Sequence, residues 1–294
     1  ITFTIRSQRW SITAWWFNER KKSYALVQRF ARLLRSNNKK ITKRCVMRKS
    51  LSTSLLAAYS AMALLLGLVC SSSVYAKAFV YELSPVADVD VSAGIDLDMR
   101  CGDENTLRID ADSEDAFEFR NRNGRLIISR RSGSLFSWFD PPGSVVATVV
   151  VEALPETFEV SSGVDAYVTD CEVSGGDVYV DVSSGSEVRM VDLAGDLAQL
   201  RIDVSSGAEF DMDSRIRIAK LDLDISSGAS VDLDEEVVVD ELSVDISSGA
   251  FADVCGANAT VIGKISSGGD LDVGGDAQTQ GLELSSGGRV RARC

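Results

Sequence analysis

A Ser-Ser-Gly triplet recurs seven times in the second half of the chain at almost constant spacing. The triplets begin at Ser161, Ser183, Ser205, Ser226, Ser247, Ser266 and Ser285, with gaps of 22, 22, 21, 21, 19 and 19 residues. A fixed period of this length is typical of solenoids, in which each repeat forms one coil and contacts its neighbours. The period therefore constrains the fold before any single element is assigned.

The residues around each triplet alternate between apolar and polar. An aliphatic residue precedes every triplet, and an acidic residue stands one position earlier in six of the seven copies. After the glycine, apolar residues return at every second position, as at Phe210 and Met212. Alternation with a period of two is the pattern of half-buried strands, and glycine reaches the positive φ that a tight turn requires.

These features predict an all-β fold, a β-helix (β-solenoid) with about 19–22 residues per coil and Ser-Ser-Gly turns. Aliphatic side chains would stack into internal ladders, and neighbouring coils would lie about 4.8 Å apart. The alternative is a β-sandwich with repeated turns, but sandwiches rarely keep one turn sequence and one inside-outside phase over seven copies.

Residues 1–76 differ from the rest in charge, with 14 Lys or Arg against one Glu. The first methionine, Met47, precedes a basic pair, an apolar run over 55–69 and a Val-Tyr-Ala sequence. This order predicts a secretory signal peptide over 47–76, cleaved after Ala76. Residues 1–46 are then predicted to be upstream sequence outside the native protein. The alternative is a basic, tryptophan-containing arm that contacts a membrane or nucleic acid.

The remaining residues, 77–294, are predicted to form one β-helix domain, with irregular N-terminal coils over 77–160 and regular repeats over 161–294. An eighth, degenerate copy of the repeat lies at residues 90–99, with Ala93 in place of the second serine. Asn123-Gly124 between two apolar runs predicts a β-hairpin. Val145 to Val151 is predicted to be a fully buried strand that leads into the repeats.

An irregular loop over 132–144 contains four large apolar residues. They are Leu135, Phe136, Trp138 and Phe139. The end of a solenoid must be capped, so these side chains are predicted to cover the open end of the stack. The alternative is that they form a contact patch for a partner.

The order of elements resembles the bacterial family named "putative auto-transporter adhesin, head GIN domain". The resemblance rests on Val-Asp-Val-Ser-Ala-Gly-Ile-Asp-Leu-Asp, then Leu-Arg-Ile-Asp-Ala-Asp, the Asn-Gly hairpin and the repeated Val-Ser-Ser-Gly turns, and it covers about residues 84–294. Gly94-Ile95-Asp96 stands where the family has Gly-Ile-Asn. The resemblance implies a right-handed β-helix in an exported bacterial protein, and it implies little chemistry.

Four cysteines follow the predicted cleavage site, and an even count in an exported chain suggests disulfides. Cys101 lies nine residues after Ser92, and Cys171 lies ten residues after Ser161. If those two coils are neighbours, both thiols fall at one corner, which predicts a Cys101–Cys171 disulfide.

The other two cysteines, Cys255 and Cys294, have matching phases two coils apart. That separation is roughly 10 Å. They are predicted to pair only if the C-terminal tail bends back.

Composition excludes several classes of chemistry. The chain contains no His, which removes the usual general base, Ser-His and Cys-His nucleophile pairs and most zinc sites. No Walker loop or dinucleotide fingerprint is present. Residues 77–294 carry 17 basic against 42 acidic residues. This balance argues against a nucleic acid partner, because phosphates would be repelled.

A column of carboxylates is the most specific polar feature. Its members, which share one outward phase, are Asp90, Glu159, Asp181, Asp203, Asp224 and Asp245. Stacked carboxylates are expected to raise one another's pKa. The simplest interpretation is a solvated face that keeps the solenoid soluble. Asp181, Asp203, Asp224 and Asp245 are also candidate Ca²⁺ ligands, because Ca²⁺ takes several oxygen ligands.

The sequence therefore predicts an exported adhesion-type or structural binding module of the bacterial envelope, with no catalysis and no cofactor other than the Ca²⁺ candidate. Its location would be the periplasm, the outer membrane or the cell surface, and its partner an envelope or surface ligand such as a glycan or a protein. Homo-oligomers through the terminal coils are compatible with this prediction.

Two alternatives stay open: a periplasmic scaffold and a carbohydrate-active β-helix enzyme that uses exposed aspartates. An outward aspartate pair in a groove beside Arg or Lys would favour the enzyme.

Overall fold

A computed structural model describes residues 77–131, 143–274 and 276–292. These residues form twenty β-strands and one 3₁₀ turn, Glu114–Ala116, and they contain no α-helix. The strands form a β-solenoid, which confirms the predicted fold class. The basic segment 1–46, the predicted signal peptide 47–76 and the aromatic residues of the loop after Arg131 lie outside the described residues.

The strands of the N-terminal part are β1 (Lys77–Glu82), β2 (Asp88–Ser92), β3 (Asp96–Cys101), β4 (Thr106–Ala111), β5 (Phe117–Arg122), β6 (Arg125–Arg130), β7 (Val146–Val151), β8 (Thr157–Ser161), β9 (Asp165–Thr169) and β10 (Glu172–Ser174). The strands of the remaining coils are β11 (Asp177–Val182), β12 (Glu187–Val204), β13 (Glu209–Ile225), β14 (Ser230–Leu233), β15 (Val238–Ile246), β16 (Phe251–Val254), β17 (Ala257–Ile265), β18 (Asp270–Val273), β19 (Gln278–Leu284) and β20 (Arg289–Ala292).

The regular coils have three walls. The first wall consists of the strand segments that end at each triplet, the second wall of the segments that follow it, and the third wall of the short segments that return toward the next coil. Strands β12 and β13 are long because each continues from the second wall through the third wall into the first wall of the next coil. Segments of successive coils pair in parallel, as β11 does with the last part of β12.

One aliphatic residue from each coil builds the main internal ladder of the first wall. In stacking order its members are Ile128, Val91, Val160, Val182, Val204, Ile225, Ile246, Ile265 and Leu284. All except Leu284 are buried. Burial of each such side chain contributes roughly 1.5–3 kcal/mol, so the ladder is the core that no single coil forms alone.

The Ser-Ser-Gly triplets form type I′ turns. The second serine and the glycine both have positive φ, as in Ser206 at 57° and Gly207 at 69°, and the Ala208 amide donates to the Ser205 carbonyl at 3.2 Å. The Gly207 amide donates to the Ser227 carbonyl of the next coil at 3.1 Å. Nothing lies within 4 Å of a Cβ built at Gly207, so backbone conformation rather than space requires glycine there.

At the N-terminal end, the order of coils in the stack differs from their order in the chain. Strands β2 and β3 lie between β6 and β7 on one side and β8 and β9 on the other, all in parallel. Antiparallel strands then end the stack, with β5 on β6, β4 on β7 and β1 on β4. The predicted hairpin is therefore confirmed, with Asn123 and Gly124 at positive φ between β5 and β6.

The coil of β3 and the coil of β9 are direct neighbours, and this places two cysteines at one corner. Cys101 and Cys171 form a disulfide with a Cα–Cα distance of 4.9 Å, which confirms the predicted pair. Cys255 is also in a disulfide, but its partner lies outside the described residues. The pairing of Cys255 with Cys294 therefore stays a prediction.

Candidate binding surface

The outward side of the first wall carries the predicted carboxylate column. The parallel register aligns Glu159 with Asp181, and then with Asp203, Asp224 and Asp245 in successive coils. Asp90 precedes Glu159 in the same column, while Lys264 follows Asp245. We call this column and the residues beside it on the outer side of the first wall the acidic face.

An arginine partly neutralises the N-terminal end of the column. The Nη2 atom of Arg125 lies 3.0 Å from Oδ2 of Asp90 and 2.7 Å from Oε2 of Glu159. In the middle of the column, burial and then the neighbouring carboxylates of Asp224 and Asp181 raise the pKa of Asp203. Stacking of like charges therefore costs free energy in the middle coils and much less at the N-terminal end.

A groove of about 510 Å³ runs along the acidic face. Its polar lining residues are Gln199, Arg201, Lys220, Asp222, Asp224, Ser243, Asp245 and Lys264. Asp222 accepts hydrogen bonds from Lys220 Nζ at 2.8 Å and from the Gln199 amide. Burial raises the pKa of Asp222, but these hydrogen bonds outweigh it and hold the pKa below its ordinary value.

The groove thus contains outward aspartates beside Arg201, Lys220 and Lys264. This is the arrangement that the sequence analysis named as favouring a carbohydrate-active enzyme. The floor of the groove is the outer surface of a sheet. Asp203, whose pKa is raised, and Asp222, whose pKa is lowered, lie on neighbouring strands of that sheet. The geometry offers hydrogen-bond donors and acceptors to a polar ligand that lies across several coils.

A second carboxylate column, which the sequence analysis missed, lies on the outer side of the second wall. The register aligns Asp211, Asp232, Asp253 and Asp272, and Arg291 follows them in the last coil. Burial, then Asp211 and Asp234, raise the pKa of Asp232. The signal for this column is the acidic residue that lies between the two apolar positions after the triplet, as Asp211 lies between Phe210 and Met212.

Neither column gathers its carboxylates into a metal site. Within the described ranges, no three acidic, cysteine or histidine side chains converge as metal ligands would. Ca²⁺ binding by Asp181, Asp203, Asp224 and Asp245 therefore stays a prediction. The aromatic loop that includes Leu135 and Trp138 lies outside the described residues, so the choice between cap and contact patch also stays open.

The part of the chain that the structure describes contains no helix with the length and apolar character needed to cross a bilayer.

Sequence comparison identifies one family. Residues 87–277 and 221–294 match the family described as "Putative auto-transporter adhesin, head GIN domain". These residues include the degenerate repeat, the hairpin and all seven triplets. No curated protein sequence matches the chain.

Solved structures with the same fold include three bacterial proteins. A "putative adhesin" from Bacteroides fragilis has 11% identity and a TM-score of 0.56, with 73% of this chain and 94% of that chain covered. A "putative adhesin" from Parabacteroides distasonis has 14% identity and a TM-score of 0.54, with 73% and 95% covered. A "putative lipid binding protein" from Parabacteroides distasonis has 12% identity and a TM-score of 0.53, with 75% and 97% covered. At these identities the likeness concerns the fold alone.

Proposed function

The chain belongs to the family described as "Putative auto-transporter adhesin, head GIN domain", and from that premise we propose that it is an exported, non-catalytic binding module of the bacterial envelope. Its ligand is a hydroxyl-rich polymer such as a surface glycan, and the acidic face is the binding surface. This proposal goes beyond the family description, which names neither a ligand nor a site.

The observation that carries the proposal is the groove on the acidic face. Arg201 and Lys220 supply N–H donors, while Asp222 and Asp224 supply acceptors. Carboxylates and guanidinium groups form paired hydrogen bonds with adjacent hydroxyl groups, which glycans present in every unit. Because one coil adds about 4.8 Å, a polymer lying along the stack meets a new row of polar side chains at each coil.

An aromatic residue extends this surface toward the N-terminal end. Tyr179 lies beside Arg201 in the register of the first wall, and its hydroxyl lies 3.4 Å from Oδ2 of Asp181. An aromatic ring combined with a polar tip suits the apolar side of a sugar ring and its hydroxyls. Ligand contact would therefore span at least the coils of β11, β12 and β13.

A second candidate function is glycan cleavage at the same face. It is favoured by one observation: the pKa of Asp203 is raised while that of Asp222, on the next strand, is lowered. Two carboxyl groups with diverging pKa values suit a general acid and a base or nucleophile. The non-catalytic proposal is preferred because Asp222 is held by Lys220 and Gln199, which leaves it less free to attack a sugar.

The test is binding of the purified protein to immobilised bacterial surface glycans and envelope polymers, with chromatographic analysis of each polymer afterward. We expect saturable binding to at least one polymer, with its chain length unchanged. If the unmodified protein shortens a polymer and an Asp203→Asn/Asp222→Asn variant does not, the protein is an enzyme instead. Absence of binding across the panel would favour the periplasmic scaffold.

A further inference from the structure

The third wall of the solenoid starts abruptly at β10. In the preceding coil, the chain leaves β3 at Cys101 and passes through Gly102 into β4, which pairs antiparallel with β7. That coil therefore contributes no third-wall strand. Among the described residues, β10 pairs with β12 on one side only, so its other edge has no strand partner.

The hydrogen-bonding direction along β10 shows which backbone groups face the open edge. The Cys171 carbonyl accepts from the Ala194 amide at 3.1 Å, and the Gly175 amide donates to the Asp196 carbonyl at 2.7 Å, both toward β12. Successive residues of a strand direct their N–H and C=O groups to opposite sides. The backbone groups of Glu172 and Ser174 therefore point away from β12, and no described residue bonds to them.

A groove of about 380 Å³ lies along this open edge. One side is formed by the loop at Ala153 and Leu154, and the other by the β10 edge. Val173, Val178 and Leu197, all at least nine-tenths buried, form its apolar floor. Gly175 and Gly176 keep it open, because nothing lies within 4 Å of a Cβ built at either glycine.

The charges around the groove have one sign. Its only charged lining residues are Glu156, Glu172 and Asp177, all exposed. An unpaired strand edge recognises extended backbone, an apolar floor recognises alternate side chains, and a carboxylate rim recognises cations. These three requirements are met together by an extended segment in which apolar and basic residues alternate.

We propose that the β10 groove binds a basic, extended peptide segment of another protein as an added parallel or antiparallel β-strand. The peptide backbone pairs with the backbone of Glu172 and Ser174, and its apolar side chains enter the floor at Val173 and Leu197. Its Lys or Arg side chains reach the carboxylates of Glu156, Glu172 and Asp177. The β10 edge belongs to the third wall, and no residue that lines this groove also lines the groove of the acidic face, so peptide binding is tested separately from polymer binding.

The probe is a fluorescein-labelled Lys-Val-Lys-Val-Lys peptide, titrated with the full chain and followed by fluorescence anisotropy. Because only a few backbone hydrogen bonds form, we expect a dissociation constant between about 10 μM and 1 mM. Two probes of matched length serve as controls. Glu-Val-Glu-Val-Glu reverses the charge, and Lys-Pro-Lys-Pro-Lys keeps the charge but lacks alternate N–H donors.

Variants of the protein locate the site. Ser174→Pro removes an N–H that faces the groove without removing a bond to β12, and we expect it to weaken binding about tenfold. The Glu172→Gln/Asp177→Asn variant, which leaves the backbone unchanged, is expected to weaken binding at least about threefold. Glu241→Gln, an exposed carboxylate on the first wall, is the matched control and should bind as the unmodified protein does.

If the proline probe bound as tightly as Lys-Val-Lys-Val-Lys, charge attraction alone would explain binding and the proposal would be overturned. Equally tight binding of the acidic probe would also overturn it. It is also overturned if the Glu172→Gln/Asp177→Asn variant and Glu241→Gln lose the same affinity. Absence of any saturable binding up to several millimolar would likewise exclude strand addition at this edge.

Discussion

The regular coils and the N-terminal end share one hydrophobic core but close their backbones differently. From Thr157 to Ala292, each strand pairs in parallel with the same wall of the neighbouring coil, and one turn type repeats. Between Lys77 and Val151, a coil is displaced from chain order and antiparallel strands end the stack. The same inward ladder runs through both regions, from Ile128 to Leu284.

The difference shows that two kinds of stabilisation act in one solenoid. In the regular coils, each coil pairs in parallel with the coil before it and the coil after it, so stability is distributed along the stack. In the N-terminal part, the Cys101–Cys171 disulfide and the antiparallel pairs β1–β4 and β4–β7 hold strands that are distant in the chain. The β10 edge arises where these two arrangements meet, because the displaced coil has no third wall.

The largest expected effect comes from the disulfide that joins the two regions. Cys101 and Cys171 are 70 residues apart, so their bond removes much entropy from the unfolded chain. A Cys101→Ser/Cys171→Ser variant is expected to lower the free energy of unfolding by about 4 kcal/mol. Urea unfolding of the variant and the unmodified protein measures this difference. Indistinguishable midpoints would show that the coils of β3 and β9 are held by their pairing alone.

The next largest effect is expected in the first-wall ladder, where a buried position in the middle of the stack is compared with a half-exposed position near its C-terminal end. Ile225 is fully buried in the middle of the stack, whereas Leu284, in the same ladder, is 50% exposed. We expect Ile225→Ala to lower the free energy of unfolding by about 3 kcal/mol, because it leaves a cavity between two coils. Leu284→Ala is expected to cost less than about 1 kcal/mol. Equal losses in thermal or urea unfolding would contradict a core that weakens toward the last coil.

A smaller effect isolates the turn. Gly207 has a φ of 69° and open space around its missing Cβ, so Gly207→Ala adds backbone strain without a clash. The expected cost is about 1 kcal/mol, and Gly207→Asn should cost less. Gly263→Ala is the contrasting variant, because its Cβ would lie 2.0 Å from the Val244 carbonyl oxygen. If Gly207→Ala destabilised as much as Gly263→Ala, the turn would need glycine for space.

The smallest expected effect is on the pH dependence of stability, to which two carboxylates of the acidic face contribute in opposite directions. The raised pKa of Asp203 means that its stabilising contribution is complete below the unfolded value of about 3.9 and is lost as pH rises through the folded pKa. The lowered pKa of Asp222 means the reverse: its contribution is present above the unfolded value and is lost as pH falls through the folded pKa.

At pH 7, Asp203→Asn is therefore expected to raise stability by a few tenths of a kcal/mol, and Asp222→Asn to lower it by a similar amount. Both differences should shrink as the pH is lowered toward 3. Melting temperatures measured from pH 3 to pH 8 provide the test. If both variants changed the melting temperature in the same direction at pH 7, the opposite pKa shifts of Asp203 and Asp222 would be contradicted.

The regular region was predictable because its local signals agree in every copy. Period-two alternation, a turn glycine and a constant spacing assign the strands on both sides of each turn and the outward position of Asp203 without a structure. The hairpin at Asn123-Gly124 was predictable for the same reason, since turn and strands are adjacent in the chain.

The stacking order of the N-terminal coils was not predictable, because pairing of β2 between β6 and β8 depends on contacts far apart in the chain. Val145 to Val151 was predicted to be a fully buried strand, but the strand is Val146–Val151 and its alternate side chains are only half-buried. It pairs with β4 as well as β3, which its run of valines did not indicate. The β10 groove was missed because it results from an absent strand.

The measurement that tests the functional account most directly is a comparison of binding by two variants to the polymer that the panel identifies. Arg201→Ala/Asp222→Asn alters the groove of the acidic face, and Ser206→Ala alters the exposed turn between the first and second walls. We predict that the first variant binds at least about tenfold more weakly while the second is unchanged, with no shortening of the polymer by either. Full binding by the groove variant, or polymer cleavage by the unmodified protein, would contradict a non-catalytic binding surface on the first wall.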